Sequence, residues 1–81
     1  MSGVKILARL VANVVNSCMP KDEIESFRKG VQGFLEVLEN ISDYPEDYDL
    51  IREEVGFEDG DVPVLIEFLK TILKELVGGG E

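Results

Sequence analysis

The apolar residues of this chain recur with the period of an α-helix, and no segment alternates apolar and polar residues as a half-buried strand does. Proline forces the residue before it out of helical backbone, and glycine ends helices because it adopts left-handed backbone without strain. The sequence therefore predicts an all-α, bundle-like domain of four helices, with a short acidic helix inserted before the last of three longer ones. The dividing residues are Pro20, Pro45, Gly56, Gly60, Pro63 and glycines 78–80.

The first predicted helix, residues 4–18, is apolar over more of its circumference than one neighbouring helix covers. Its main apolar arc spans roughly 140°, whereas a surface helix ordinarily shows about 100°. The single cysteine, Cys18, belongs to this arc and is expected to behave as a small buried hydrophobe. The arc comprises Val4, Leu7, Leu10, Val11, Val14, Val15 and Cys18, and is extended by Ile6, Ala8 and Ala12.

The second predicted helix, residues 21–41, contains two glycines that cost helix stability. Gly30 and Gly33 each cost up to about 1 kcal/mol relative to alanine, so their presence needs a reason. With Ser26 and Val37 they form a strip of mostly small residues beside the apolar face. We expect another backbone to approach closely there; the alternative is that packing of the long apolar stripe tolerates them.

The third predicted helix, residues 44–55, is short and acidic. Asp43 and Glu46 have the spacing of a capping box at its start, and Gly56 fits a left-handed cap at its end. Leu50 is expected to point outward among acidic residues. The inner face is predicted to consist of Tyr44, Tyr48, Ile51 and Val55.

The fourth helix is predicted to begin at Asp61, whose side chain caps it, with Pro63 in its first turn. Glycines 78–80 are expected to stop it, which leaves 78–81 as a flexible glycine-rich tail. Because 81 residues hold only one hydrophobic core, residues 1–81 are interpreted as a single domain.

Charge is distributed unevenly along the chain. The net charge is −9, yet residues 1–18 carry two basic residues and no acidic one. Residues 42–61 carry nine acidic residues against Arg52 alone. Phosphate backbones require a basic patch, so direct binding of nucleic acid is not expected.

No stretch approaches the ~18–20 uncharged residues of a membrane span, and the apolar run after Arg9 is too short for a signal peptide. A cytoplasmic location is therefore expected.

The residue types present exclude several kinds of chemistry. The chain has no histidine and one cysteine, which removes histidine-based catalytic units and multi-cysteine metal sites. The acidic turn before the last helix does not fit a calcium-binding EF-hand: aligning Gly60 with the loop's glycine puts Val55 and Phe57 at ligand positions. No serine stands in the Asp-Ser-Leu context that carries phosphopantetheine in acyl carrier proteins. We therefore expect a non-enzymatic protein without metal or cofactor.

Two functions remain compatible with these patterns. The first is a protein–protein interaction module that forms a homodimer through its wide apolar helices, because so small a domain gains stability by association. Its predicted self-association residues are Leu7, Val11, Val14, Leu69 and Leu73. The alternative is an acidic regulator that binds a basic protein surface through residues 42–61, as a mimic of nucleic-acid charge. Its predicted contact residues are Glu46, Asp47, Asp49, Leu50, Glu53 and Glu54.

Overall fold

A computed structural model describes residues 3–77, and this part of the chain forms four α-helices and no strand. The helices are α1 (Gly3–Cys18), α2 (Lys21–Glu39), α3 (Pro45–Val55) and α4 (Val62–Glu75). Two 3-10 turns, Ile41–Asp43 and Asp59–Asp61, join α2 to α3 and α3 to α4. The predicted all-α fold with a short third helix is confirmed. The predicted flexible tail, 78–81, lies outside the described residues.

The central helix is α4, which packs most extensively against α1 and next against α2. The side of α1 that meets α4 carries small residues: Ala8 and Ala12 are completely buried, and Val15 lies one turn further on. Small side chains let two helix backbones approach closely. Since α4 occupies the centre, α1 lies at the edge of the bundle with one side covered.

The core consists of two clusters of buried side chains that share residues. The first joins α1, the start of α2 and the end of α4 through Ala8, Ala12, Val15, Ile24, Ile72 and Leu76. The second joins α2, α3 and the middle of α4 through Val31, Leu38, Tyr48 and Leu69. Phe27, Phe68 and Leu73 pack against both clusters and make them continuous.

Two predicted helix boundaries are wrong. The second helix ends at Glu39 rather than at residue 41, because Asn40 leaves helical backbone at φ −136° and the chain continues in a 3-10 turn. The fourth helix ends at Glu75, before the glycines, because Leu76 is extended at ψ 137°. The predicted left-handed cap is confirmed: Gly56 has φ 88°.

The predicted side-chain caps are also wrong. Tyr44, not Asp43, occupies the cap position of α3, and no side chain caps that helix. The Asp61 carboxylate accepts a hydrogen bond from the Glu58 backbone N–H at 3.0 Å, and so it closes the 3-10 turn instead of capping α4. Pro45 and Pro63 lie in the first turns of α3 and α4 as predicted.

Candidate interaction surfaces

An uncharged face of α1 points away from α4, and we call it the outer face of α1. Its largest side chains are about half exposed: Ile6 by 50%, Leu7 by 53%, Leu10 by 56% and Val14 by 59%. Smaller exposed residues, Gly3, Ser17 and Cys18, continue the face towards both ends of the helix. The fold leaves this apolar surface without a covering element among residues 3–77.

The structure divides the predicted self-association residues. Leu7 and Val14 lie on the outer face of α1, whereas Val11 and Leu73 are partly buried against the core. Leu69 is only 5% exposed, so we remove it from the candidate surface. Ile6 and Leu10 take its place. Two alanines one turn apart, Ala8 and Ala12, mark the side of α1 that faces α4. This is the sequence signal from which the exposed side of α1 could have been predicted.

The expectation for Cys18 is wrong. Its thiol is free and exposed, because Cys18 lies on the outer face of α1 and not on the side that carries Ala8, Ala12 and Val15. Val55, predicted on the inner face of α3, is likewise 57% exposed.

The predicted acidic residues of α3 all lie on its surface. Glu46, Asp47, Asp49, Glu53 and Glu54 are exposed, and Leu50 among them is 59% exposed. The one basic residue of α3, Arg52, pairs with Asp49 at 3.8 Å and with Asp59 at 3.7 Å. Its guanidinium lies 5.9 Å from the centre of the Tyr48 ring.

Tyr48 attaches α3 to the rest of the bundle. It is 8% exposed, and its hydroxyl donates a hydrogen bond to the Asp59 carboxylate at 2.5 Å. Its ring meets Phe57 edge-on, with centroids 6.0 Å apart. The hydrogen bond, then burial, then the Asp59 charge raise the pKa of Tyr48 above its usual 10.0.

A second tyrosine at the start of α3 makes a similar bond to α2. The Tyr44 hydroxyl donates to the Glu36 carboxylate at 3.1 Å, and this bond is the main reason that the pKa of Tyr44 is raised. Tyr44 thus links the start of α3 to α2, and Tyr48 links the middle of α3 to the 3-10 turn that follows it.

An open groove runs between α2 and α3, and we call it the α2–α3 groove. Its volume is about 470 Å³. Apart from the adjoining backbone of α2, no described atom lies within 4 Å of a Cβ built on Gly30 or Gly33, so the close approach predicted at these glycines does not occur within the protomer. The lining consists of Gly30, Gly33, Phe34, Val37, Asp47, Leu50, Ile51, Glu54 and Val55.

Two polar side chains that no sequence motif marks, Asn16 and Arg28, hold the end of α4. The Asn16 amide donates to the Glu75 carbonyl oxygen at 3.0 Å. Arg28, 6% exposed, donates to the Val77 carbonyl oxygen at 2.5 Å and to the Glu25 carboxylate. Both side chains sit on helices that flank α4, and they bind the backbone at and just beyond its last turn.

The described residues thus form a small acidic all-α domain with two exposed apolar surfaces. No family model, curated protein or solved structure matches the chain. Within residues 3–77, no helix is long and apolar enough to cross a membrane. The same residues contain no group of three or more side chains suited to hold a metal ion.

Proposed function

We propose that the protein is a non-catalytic interaction module that forms a homodimer through the outer face of α1. The observation that carries this proposal is the half-exposure of four large apolar side chains on one helix. Together they form one apolar surface, and exposed apolar patches often mark interaction sites.

The charge distribution supports a second copy as the occupant of this face. The chain carries a net charge of −9, so two copies repel each other over most of their surfaces. The α1 helix contains Lys5 and Arg9 and no acidic residue. Approach through α1 therefore brings together the part of the chain with the least negative charge.

The spacing on α1 favours an antiparallel pair of helices. Leu10 lies midway along the outer face, with Leu7 and Val14 on either side of it. A two-fold axis at Leu10 places Ile6 of one copy against Val14 of the other, so the surface is complementary to itself. Antiparallel helices also have opposed dipoles, which favours this pairing over a parallel one.

Two substitutions at equally exposed leucines test the proposal. In the dimer, Leu10→Glu places an unpaired charge at the interface, so we expect dimerisation to weaken by about a hundredfold or more. Leu50→Glu on α3 is the matched control, because Leu50 is 59% exposed against 56% for Leu10. Circular dichroism verifies folding, and analytical ultracentrifugation measures dimerisation. Equal dimerisation of both variants and wild type contradicts the proposal.

A second candidate function is binding of a basic protein surface through residues 42–61. The observation that favours it is Leu50, which is exposed beside Asp47, Glu53 and Glu54 and gives an acidic surface an apolar contact. Charges around it would raise the rate of association with a basic partner.

We also propose a cytoplasmic location, because the exposed, unpaired thiol of Cys18 suits a reducing compartment.

A further inference from the structure

We infer that the α2–α3 groove binds an amphipathic helix of a partner protein, one whose apolar residues are flanked by lysine or arginine. This inference deepens the second candidate function and rests on it. It names the site within the acidic region and the chemistry of the partner.

The glycines of α2 supply the first argument. Gly30 and Gly33 weaken α2, yet no described atom of the protomer uses the space that they leave. Both residues lie on the wall of the groove. An external helix is a suitable occupant, because missing side chains allow another backbone to approach α2 closely.

The lining of the groove supplies the second argument. Phe34, Val37 and Ile51 are partly buried and form its apolar floor. Leu50 and Val55 are 59% and 57% exposed, so more than half of each side chain remains to be covered. A groove between two helices, open along its length, matches the mode in which an amphipathic helix lays its apolar face against a protein.

Charge identifies the partner. The charged residues that line the groove, Asp47 and Glu54, are both acidic. Arg52, the base on α3, is engaged with Asp49 and Asp59. A bound helix therefore passes between carboxylates, and lysine or arginine beside its apolar residues would pair with them.

A second copy of this chain is a less suitable occupant. Its α1 helix is apolar and basic, but insertion of one copy's α1 into another copy's groove joins two different surfaces. Such heterologous contacts build rings or open chains unless the geometry closes. The self-complementary contact proposed for α1 avoids this outcome and leaves the groove free.

The test uses a synthetic amphipathic helix with leucine at positions i, i+3, i+4 and i+7 and lysine elsewhere. A control peptide has glutamate in place of every lysine. Calorimetry measures the affinity, and the backbone amide signals of Gly30 and Gly33 in NMR spectra report binding in the groove. We expect the lysine peptide to bind and to shift these two signals, and the glutamate peptide not to bind.

Variants of the protein then locate the site. Gly33→Leu places a side chain in the groove, at a position where an added Cβ meets no neighbouring element within 4 Å, so binding should weaken about tenfold or more. Circular dichroism and the Tm verify that this variant is folded. Glu54→Lys and Glu53→Lys form a matched pair of neighbouring exposed acids, of which Glu54 alone lines the groove. We expect Glu54→Lys to weaken binding several times more than Glu53→Lys.

The results distinguish failure of the groove proposal from failure of the second candidate function, which concerns the whole acidic surface. Undiminished binding to Gly33→Leu overturns the inference. If the two lysine variants then lose affinity equally, the acidic surface still binds basic partners; if neither loses affinity, the second candidate function fails as well. A change in the molar mass of the protein itself on Gly33→Leu would show that a second copy occupies the groove, and would overturn the assignment to a partner protein.

Discussion

Asn16 in α1 and Val77 beyond the end of α4 are joined by a hydrogen bond of 3.0 Å from the Val77 backbone N–H to the side-chain oxygen of Asn16. The amide nitrogen of the same side chain donates to the Glu75 carbonyl oxygen, also at 3.0 Å. One side chain thus pairs with a carbonyl oxygen that the end of the helix leaves unpaired and with a backbone N–H just beyond it. The bonds tie the end of α4 to the last turns of α1.

We expect Asn16→Ala to lower the free energy of unfolding by about 1 kcal/mol, because two hydrogen bonds are lost and the gain in helix propensity offsets part of that loss. The Tm should fall by about 5 °C in a domain of this size. Asn13→Ala is the matched control: Asn13 is an exposed asparagine on the same helix, and its replacement should leave stability unchanged or slightly raised. Urea denaturation of the two variants tests this difference. Equal stabilities would mean that the Asn16 contacts contribute nothing.

Replacement of the groove glycines should stabilise the protein. Gly30→Ala and Gly33→Ala place a methyl group in open space and remove a helix-weakening residue, so each should raise the free energy of unfolding by up to about 1 kcal/mol. Gly56→Ala is the control with the opposite sign, because φ is 88° there and alanine is strained by about 1 kcal/mol or more. Thermal denaturation gives all three values. A loss of stability at position 30 or 33 would show that α2 needs glycine for its own packing.

The four helices could be predicted from the sequence because each has an apolar stripe of helical period and a proline or glycine near its ends. Their boundaries were harder to predict. Asp43 has the spacing of a cap, but it is the last residue of the 3-10 turn that precedes α3, and Tyr44 becomes the cap residue. The end of α4 depends on Asn16 and Arg28, which are distant in sequence, and no local pattern contains such contacts.

The candidate surfaces could be predicted only in part. The acidic residues of α3 are exposed as expected, because a short helix with so many charges has one side to bury. The residues on the outer face of α1 differ from the predicted self-association residues. An apolar arc in the sequence does not show which part of it packs against the neighbouring helix, α4. Ala8 and Ala12 face α4, and the larger Leu7 and Leu10 are left outside. The groove depends on the relative placement of α2 and α3, which the sequence does not contain.

The hydrogen bond from Tyr48 to Asp59 should make stability depend on alkaline pH. The bond raises the pKa of Tyr48 above the 10.0 of an unperturbed phenol, so the folded state holds this proton more tightly than the unfolded chain does. Its contribution to stability is complete below pH 10 and is lost as the pH rises through the folded-state pKa. Ultraviolet titration of tyrosinate in the Tyr44→Phe variant measures Tyr48 alone.

Asp59→Asn provides the control for this titration, because it removes the carboxylate that holds the phenol proton. We expect the pKa of Tyr48 to move back towards 10.0 and the alkaline loss of stability to diminish. An unchanged titration in Asp59→Asn would mean that the bond to Asp59 does not control Tyr48.

Cysteine cross-linking should reveal the orientation of the α1 helices in the dimer. In the antiparallel pair, the two copies of Cys18 are separated by about 24 Å along the helix axes, which no disulfide spans. Oxidation of the wild-type dimer should therefore yield little cross-linked product. Leu10→Cys combined with Cys18→Ser places the thiols at the two-fold axis, and we expect rapid disulfide formation. Preferential cross-linking through Cys18 would instead indicate a parallel pair.

The molar mass of the wild-type protein in solution tests the central claim most directly. Sedimentation equilibrium over low to high micromolar concentrations should give a mass that approaches twice the 9.0 kDa of one chain. Added salt should not weaken the association, because the outer face of α1 is apolar and copies with a net charge of −9 repel each other less when screened. A mass of 9.0 kDa at every concentration, up to high micromolar, would contradict self-association through α1.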